Sequence, residues 1–405
     1  MMKKIHLTLA LGMLVTAASA QHNAKKAIPF AEKQTDVMLK AIPQAKEKAT
    51  KPNVVSPRTL NAAGELVMIP SRDWVSGFFP GELWYLFEYT HDQKWKDAAK
   101  TYTAFIEPEQ FDKGTHDVGF KIYCSVGNGY RLTKDAHYKD VIIQAAKTLS
   151  TRFNPKVGAI KSWDGRKEWP YPVIIDNMMN LELLFEASKL SGDTSFRNIA
   201  IKHANTTMKN HFRPDFSSYH VIDYDPETGA AVHKQTHQGY ADASAWARGQ
   251  GWGLYGYTLC YRETKDLRYL KQAEAIAKFI MTNPNMPADK VPYWDFNAPD
   301  IPNAPRDASA AAIMASAFYE LSTYSKNGKQ YRKMADEMTN SLSKNYQAKP
   351  GESQGFILLH STGHKPANSE IDVPISYADY YYLEALLRQD RLEKGKPVLT
   401  WQIVN

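Results

Sequence analysis

Two cysteines in 405 residues are too few for a disulfide-held scaffold. Both Cys124 and Cys260 fall in helical patterns, where buried free thiols are expected rather than a bridge. Beyond the first twenty residues no stretch approaches the roughly 20 apolar residues that a membrane helix needs, so no membrane partner is expected. A P-loop, a glycine-rich dinucleotide fingerprint, a zincin motif and a nucleophile elbow are all missing, and no cofactor is expected. His233 and His237 stand four apart without an evident third ligand, which argues against a metal site. The formal charge of +7 is too diffuse for nucleic acid, although it suits an anionic ligand.

The amino terminus carries Lys3 and Lys4, an apolar run from Ile5 to Ala18, and Ala18-Ser19-Ala20 before Gln21. This pattern predicts a signal peptide over residues 1–20, cut after Ala20, and a periplasmic or secreted protein. Residues 21–405 are long enough for two domains or one large toroid.

A junction recurs along the chain: Thr90-His-Asp-Gln-Lys-Trp95, Thr133-Lys-Asp-Ala-His-Tyr138, Ser191-Gly-Asp-Thr-Ser-Phe196, Thr264-Lys-Asp-Leu-Arg-Tyr269 and the looser Ser325-Lys-Asn-Gly-Lys-Gln-Tyr331. Each follows an apolar, aromatic-rich helix and offers Asp or Asn as the N-cap of an amphipathic one. The unit reads as an αα-hairpin. Periodicity traced outward predicts twelve helices near 27–49, 77–90, 93–107, 117–133, 135–152, 176–191, 194–211, 243–264, 266–283, 307–325, 328–345 and 374–390. The helices starting near 77, 117, 176, 243, 307 and 374 are apolar or small on most sides, as helices buried all round should be. Six inner helices inside six outer ones make an all-α (α/α)6 barrel, a single domain over 21–405.

Long segments precede the inner helices at 154–175, 212–242, 284–306 and 346–372. Long loops gathered at one end of a rigid scaffold usually build a site. That end presents helix N-termini, which favour an anionic group. Ser218–Tyr224, the turn 225–229 and Ala230–Thr236 predict a small β-hairpin over the mouth.

Asp176 opens an inner helix, where the ordinary role of an Asp is an N-cap. Ile174, Ile175, Met178, Met179, Trp163 and Trp169 would instead desolvate its carboxyl and raise its pKa, as a general acid at neutral pH requires. Asp117 heads the preceding inner helix, and its ordinary role is a cap or an i,i+4 pair with Lys121. In a toroid the two carboxylates face one cavity, and each raises the pKa of whichever holds the proton. Trp74, Trp163, Trp246 and Trp252 suit stacking against the C–H face of a pyranose, though tryptophan is often simply core. Gly249, Gly251 and Gly253 are expected where inner helices crowd together. Arg248, His220 and Gln238 are candidates for a sugar carboxylate or for holding loops together.

Trp74-Val-Ser-Gly-Phe-Phe-Pro-Gly-Glu-Leu-Trp84, His116-Asp-Val-Gly-Phe120, Ile175-Asp-Asn-Met-Met-Asn180, Gln238 to Gln250 and Tyr377-Ala-Asp-Tyr-Tyr-Tyr-Leu-Glu384 together resemble the unsaturated glucuronyl hydrolases of glycoside hydrolase family 88. The resemblance runs from Trp74 to Leu387. It implies an (α/α)6 barrel without metal, acting on Δ4,5-unsaturated uronyl oligosaccharides left by polysaccharide lyases. It further implies Asp176 as general acid and base, Asp117 as the second essential aspartate, and Trp74, Trp163, His220, Gln238, Trp246, Arg248 and Trp252 along the sugar site. The implied chemistry is hydration: C4 is protonated, water adds at C5, and the hemiketal opens to expel the remaining sugar. In Ser361-Thr-Gly-His-Lys-Pro366, the residues Ser361, His364 and Lys365 partly match positions that contact sulfated glycosaminoglycan fragments. A related uronate lyase or epimerase, and a catalytically silent carbohydrate-binding protein, are the alternatives. The two helix-head aspartates weigh against the silent protein, and the central carboxylates weigh against a lyase.

Overall fold

The computed structural model describes residues 23–164 and 168–399; the predicted signal peptide lies outside them. Four of the five junctions share one hydrogen-bond pattern, which explains the repeat in the sequence. The hydroxyls of Thr90, Thr133, Ser191 and Thr264 each donate to the carbonyl four residues back, at 2.7 Å. Each also accepts the backbone N–H of the Asp two residues on. The residue between them, His91, Lys134, Gly192 or Lys265, adopts the left-handed conformation that ends a helix. Asp92, Asp135, Asp193 and Asp266 then accept the N–H two residues on and cap the next helix. At the fifth, Asn327 makes no side-chain cap.

The helices are α1 (Asn23–Lys48), α2 (Phe78–Thr90), α3 (Gln93–Ala104), α4 (Asn128–Thr133), α5 (Ala136–Ser150), α6 (Asn177–Ser191), α7 (Thr194–Asn210), α8 (Ala247–Thr264), α9 (Leu267–Thr282), α10 (Ala308–Leu321), α11 (Gly328–Asn345) and α12 (Ser376–Glu393). A π-helix over Gly119–Gly127 leads into α4. Inner members α2, α4 with its π-helix, α6, α8, α10 and α12 pack in succession, and α12 returns to α2 to close the ring. The outer helices α3, α5, α7, α9 and α11 each pack on the inner helix before them, and α1 packs on α12. The fold is an (α/α)6 barrel. Every residue of α10 is buried, matching its lack of a polar face, and so is Ser376–Asp390 of α12, whose Arg388 pairs in the interior with Glu320 and Glu384. No helix among the described residues is long and apolar enough to cross a membrane.

Close approach of inner helices falls only partly where the glycine pattern suggested: a Cβ on Gly251 of α8 would stand 3.2 Å from Ile313 of α10, tighter than ordinary contact. A Cβ on Gly253 would meet Phe212 at an ordinary 3.4 Å, whereas one on Gly119 would stand 2.6 Å from Asn180 Cα and one on Gly256 only 2.4 Å from Met178 Cβ. Gly249 is tight mainly against its own Trp246 ring, at 2.8 Å.

Short strands decorate the ends: β1 (Val54–Leu60), β2 (Leu66–Pro70), β3 (Phe153–Asn154), β4 (Ala159–Ile160), β5 (Pro172–Ile174), β6 (Val221–Tyr224), β7 (Ala231–Gln235), β8 (Ser361–His364) and β9 (Ser369–Val373). The expected mouth hairpin is β6–β7, and β5 joins it as a third antiparallel strand. The hairpins β1–β2 and β8–β9 were not expected. In β9, Glu370 and Asp372 adopt positive φ of 54° and 56°, so the alternation that marks a strand is broken.

Candidate active site

Three aspartates stand at the N-termini of inner helices, and they behave differently. Asp307 is a cap: its carboxylate accepts the N–H groups of Ser309 and Ala310. Asp176 occupies the same position on α6 but makes no cap hydrogen bond. It is buried, and its Oδ2 has no hydrogen-bond partner among the described residues. Burial is the main reason its carboxyl is pushed up to about 7; His116 and Arg248 oppose the shift and Asp117 adds to it.

Asp117 lies just before the π-helix, a winding often found at functional sites. Lys121 is not its ion-pair partner. That lysine sits in the core, bonded to Glu109 at 2.9 Å and Asp112 at 2.6 Å. Asp117 instead meets His116 Nε2 at 3.0 Å and accepts from the Thr115 hydroxyl at 2.8 Å. Burial raises its carboxyl, but His116 and Thr115 outweigh that and hold it below the usual carboxylate range. The environments therefore push the two carboxyls apart, one toward a proton donor and one toward a permanent anion.

Backbone bonds set the walls of the site. Ser162 O accepts the His116 N–H at 2.9 Å, and Thr115 forms a β-bridge with Trp163. The Ile175 N–H donates to His220 O at 3.0 Å, which brings His220 beside Asp176. His220 Nδ1 accepts the N–H groups of His237 and Gln238 at 3.1 and 3.0 Å. The proton of its neutral ring therefore sits on Nε2, and burial keeps the ring neutral by pushing its pKa well below the ordinary value. That Nε2–H lies 3.5 Å from Asp176 Oδ2. Trp246 stacks on the His220 ring at 4.5 Å.

Arg248 holds loops together. Its Nη1 donates to Asp307 and to Thr362 O, both at 2.7 Å, and its Nη2 donates to Gly363 O at 2.6 Å. Both ends of the fork hold the β8–β9 hairpin, and Nε has no partner among the described residues. Gln238 adds a bond from Nε2 to Gly363 O at 3.1 Å. On the far side, Arg58 joins Glu370 of β9 to Asp73, at 2.5 and 2.7 Å. This clamped hairpin carries Ser361, His364 and Lys365. Ser361 is fully buried with its hydroxyl unpartnered. His364 contacts His237 O at 2.9 Å, and Lys365 opens the turn that follows β8.

The tryptophans occupy two levels. Trp163 is half-buried beside Trp169 and His237, with ring centroids 5.8 and 5.9 Å away. Trp74, also half-buried, lies 5.5 Å from Phe120 and 5.1 Å from Tyr377. Trp252, in contrast, is fully buried against Phe120 and Tyr381, so it supports the floor from beneath. His116 and Asp307 were not singled out from the sequence. The first was visible only as the His of a His-Asp pair, the second only as one more Asp before an inner helix.

A buried carboxyl raised toward neutrality, a partner carboxyl held below the usual range and half-buried tryptophans thus lie among these helix heads and loops, and the Glycosyl Hydrolase Family 88 model matches residues 49–396. The chain belongs to glycoside hydrolase family 88. It is 54% identical over 340 residues to an unsaturated glucuronyl hydrolase of Formosa agariphila, covering 83% of this chain and 85% of that one. It is 34% identical over 330 residues to an unsaturated chondroitin disaccharide hydrolase of Streptococcus agalactiae, covering 79% and 82%. Among solved structures, an unsaturated glucuronyl hydrolase specific for heparin superposes with a TM-score of 0.84 at 48% identity, covering 93% of this chain and all of that one. The family 88 chain shares its barrel with these relatives.

Proposed function

We propose that this family 88 enzyme removes the Δ4,5-unsaturated uronic acid from the non-reducing end of lyase-generated oligosaccharides, with glycosaminoglycan fragments as the substrate class. The observation that carries the reading is the Asp176 carboxyl, which is buried, makes no cap bond and is held near neutrality. Asp176 gives its proton to C4 of the vinyl ether, water adds at C5, and the Asp176 carboxylate takes a proton back from that water. Ionised Asp117 stabilises the positive charge that develops between these steps. The resulting hemiketal opens and releases the remaining sugar.

A lyase would need a base. The proton on His220 Nε2 removes that ring as a candidate, and burial holds the Tyr377 phenol protonated. Around the reacting carbons we assign Trp74, Trp163, His220, Gln238 and Trp246 to the sugar, with Arg248 and Trp252 acting through the groups they hold in place. We assign His364 and Lys365 to the leaving sugar, where an imidazole and an ammonium suit a sulfate, with the fully buried Ser361 behind them in β8. The relatives that act on heparin and chondroitin fragments support this class.

We further propose that the chain is exported, cut after Ala20, and acts in the periplasm or outside the cell as one catalytic domain over 21–405. One assay tests the reaction: the hydrolase bleaches the ultraviolet absorbance of an unsaturated chondroitin or heparin disaccharide, a lyase creates that absorbance from polymer, and a binding protein does neither. Amino-terminal sequencing of exported protein should begin at Gln21.

A further inference from the structure

Outside the aspartate site lies a cleft of about 570 Å³, lined by Lys113, Arg152, Lys156 and Lys161 against the carboxylates of Asp164 and Glu227. Four cations face two anions. Its walls are Phe153, Pro155, Tyr171 and Pro226. Arg152 is built into the floor: Nη1 donates to Lys113 O at 2.5 Å and to Asp164 at 3.0 Å, and Nε donates to Lys161 O at 2.8 Å. One buried guanidinium thus ties the segment leading to Asp117 to the segment leading to Trp163. The cleft adjoins the site through the backbone: Thr115 and Trp163 form a β-bridge and His116 N–H donates to Ser162 O, so Lys113 and Lys161 flank the segments that carry Asp117 and Trp163.

From this placement we infer that the cleft is an extension subsite for anionic oligosaccharides longer than a disaccharide, holding acidic sugars of the leaving chain. The inference rests on the reaction proposed above. The lysine partners do not oppose it. Lys156 pairs with Glu227 at 2.7 Å and Lys161 with Asp164 at 3.0 Å, but both carboxylates are more than half exposed. Such pairs are worth only about 0–1 kcal/mol and exchange readily for a ligand anion. Lys113 is exposed at the rim and makes no side-chain bond among the described residues. Ammonium groups on flexible stems suit sulfates and carboxylates spaced along a chain. Proline and aromatic walls suit the C–H faces of the sugars between those anions.

The test compares wild type with Lys113→Glu/Lys156→Glu, two exposed positions outside the aspartate site, on the unsaturated disaccharide and unsaturated tetrasaccharide of chondroitin sulfate. The double variant should lose about tenfold in kcat/KM on the tetrasaccharide, through KM, and change less than about twofold on the disaccharide. Raising ionic strength should weaken tetrasaccharide turnover more than disaccharide turnover in wild type. Parallel changes on both substrates, or none on either, overturn the inference. Calorimetry with saturated chondroitin sulfate tetrasaccharide, which cannot be hydrated, reads the cleft without catalysis. Equal binding by variant and wild type overturns it, as does equally tight binding of a DNA oligonucleotide, which marks a general polyanion patch. If wild type bleaches neither unsaturated substrate the proposed reaction fails, and the calorimetric comparison still decides the cleft.

Discussion

His220 Nε2 lies 3.5 Å from Asp176 Oδ2, and neither atom has a hydrogen-bond partner among the described residues. The distance is too long for a hydrogen bond, yet the donor is aimed because two backbone N–H groups occupy Nδ1. Both groups are committed to the site at a cost in buried polarity, which is the usual mark of a functional rather than a structural pair.

Asp176→Asn should lower kcat by about a thousandfold, the scale of a lost general acid, with the fold retained because no cap bond is lost. Its stability should depend on pH in a defined sense. The unfolded carboxyl ionises near its ordinary value and the folded one near 7, so the unfolded state binds fewer protons between those values. Wild-type stability therefore falls as pH rises through that window and stays lower above it, by up to a few kcal/mol. The variant should melt higher than wild type at pH 8, with the difference vanishing near pH 4. A variant that melts lower at every pH would contradict this.

The pH profile of kcat/KM should have its basic limb near 7, since Asp176 must be protonated to act, with activity falling about tenfold per unit above it. The acid limb should lie below the ordinary carboxylate range because His116 and Thr115 hold Asp117 ionised. A plateau extending past pH 9 would remove Asp176 as the donor.

His220→Phe keeps a ring against Trp246 but strands the N–H groups of His237 and Gln238. These donors are partly buried, and leaving a fully buried one unsatisfied costs about 1–3 kcal/mol, so the melting temperature should drop by less than that scale implies, and activity with it. Thermal unfolding and initial rates check both, and an unchanged melting temperature would show that the loop does not depend on the imidazole.

Arg248→Lys cannot reproduce contacts to Asp307, Thr362 and Gly363 from one ammonium group. Breaking a buried ion pair of this kind costs about 3–5 kcal/mol when a partner is left uncompensated; lysine should lose less, because it keeps the charge. Hydrogen exchange should quicken across 361–373, and KM should rise more than kcat falls. Unaltered exchange there would mean that the hairpin is held from the Arg58 side alone.

The barrel was legible in the sequence because its signals are local. Buried stripes and a repeated junction of Thr or Ser, one residue, then Asp or Asn need only neighbouring residues to operate, and the helices follow from them. Asp176 and Asp117 also stood out from position and company. The β8–β9 hairpin did not, since left-handed residues in β9 break the alternation by which strands are read. What each helix-head aspartate does could not be settled locally either. Asp307 caps its helix and Asp176 does not, though both occupy the same position. Trp252 sits below the floor, and the fork of Arg248 is taken by a hairpin more than a hundred residues away. Protonation, exposure and hydrogen-bond commitment depend on groups that only folding brings together. The sequence alone thus determined the helices, the ring and the candidate carboxyls; the tertiary structure decided that His116 and Thr115 hold one buried carboxyl ionised while the other, without such hydrogen bonds, keeps its proton near neutrality.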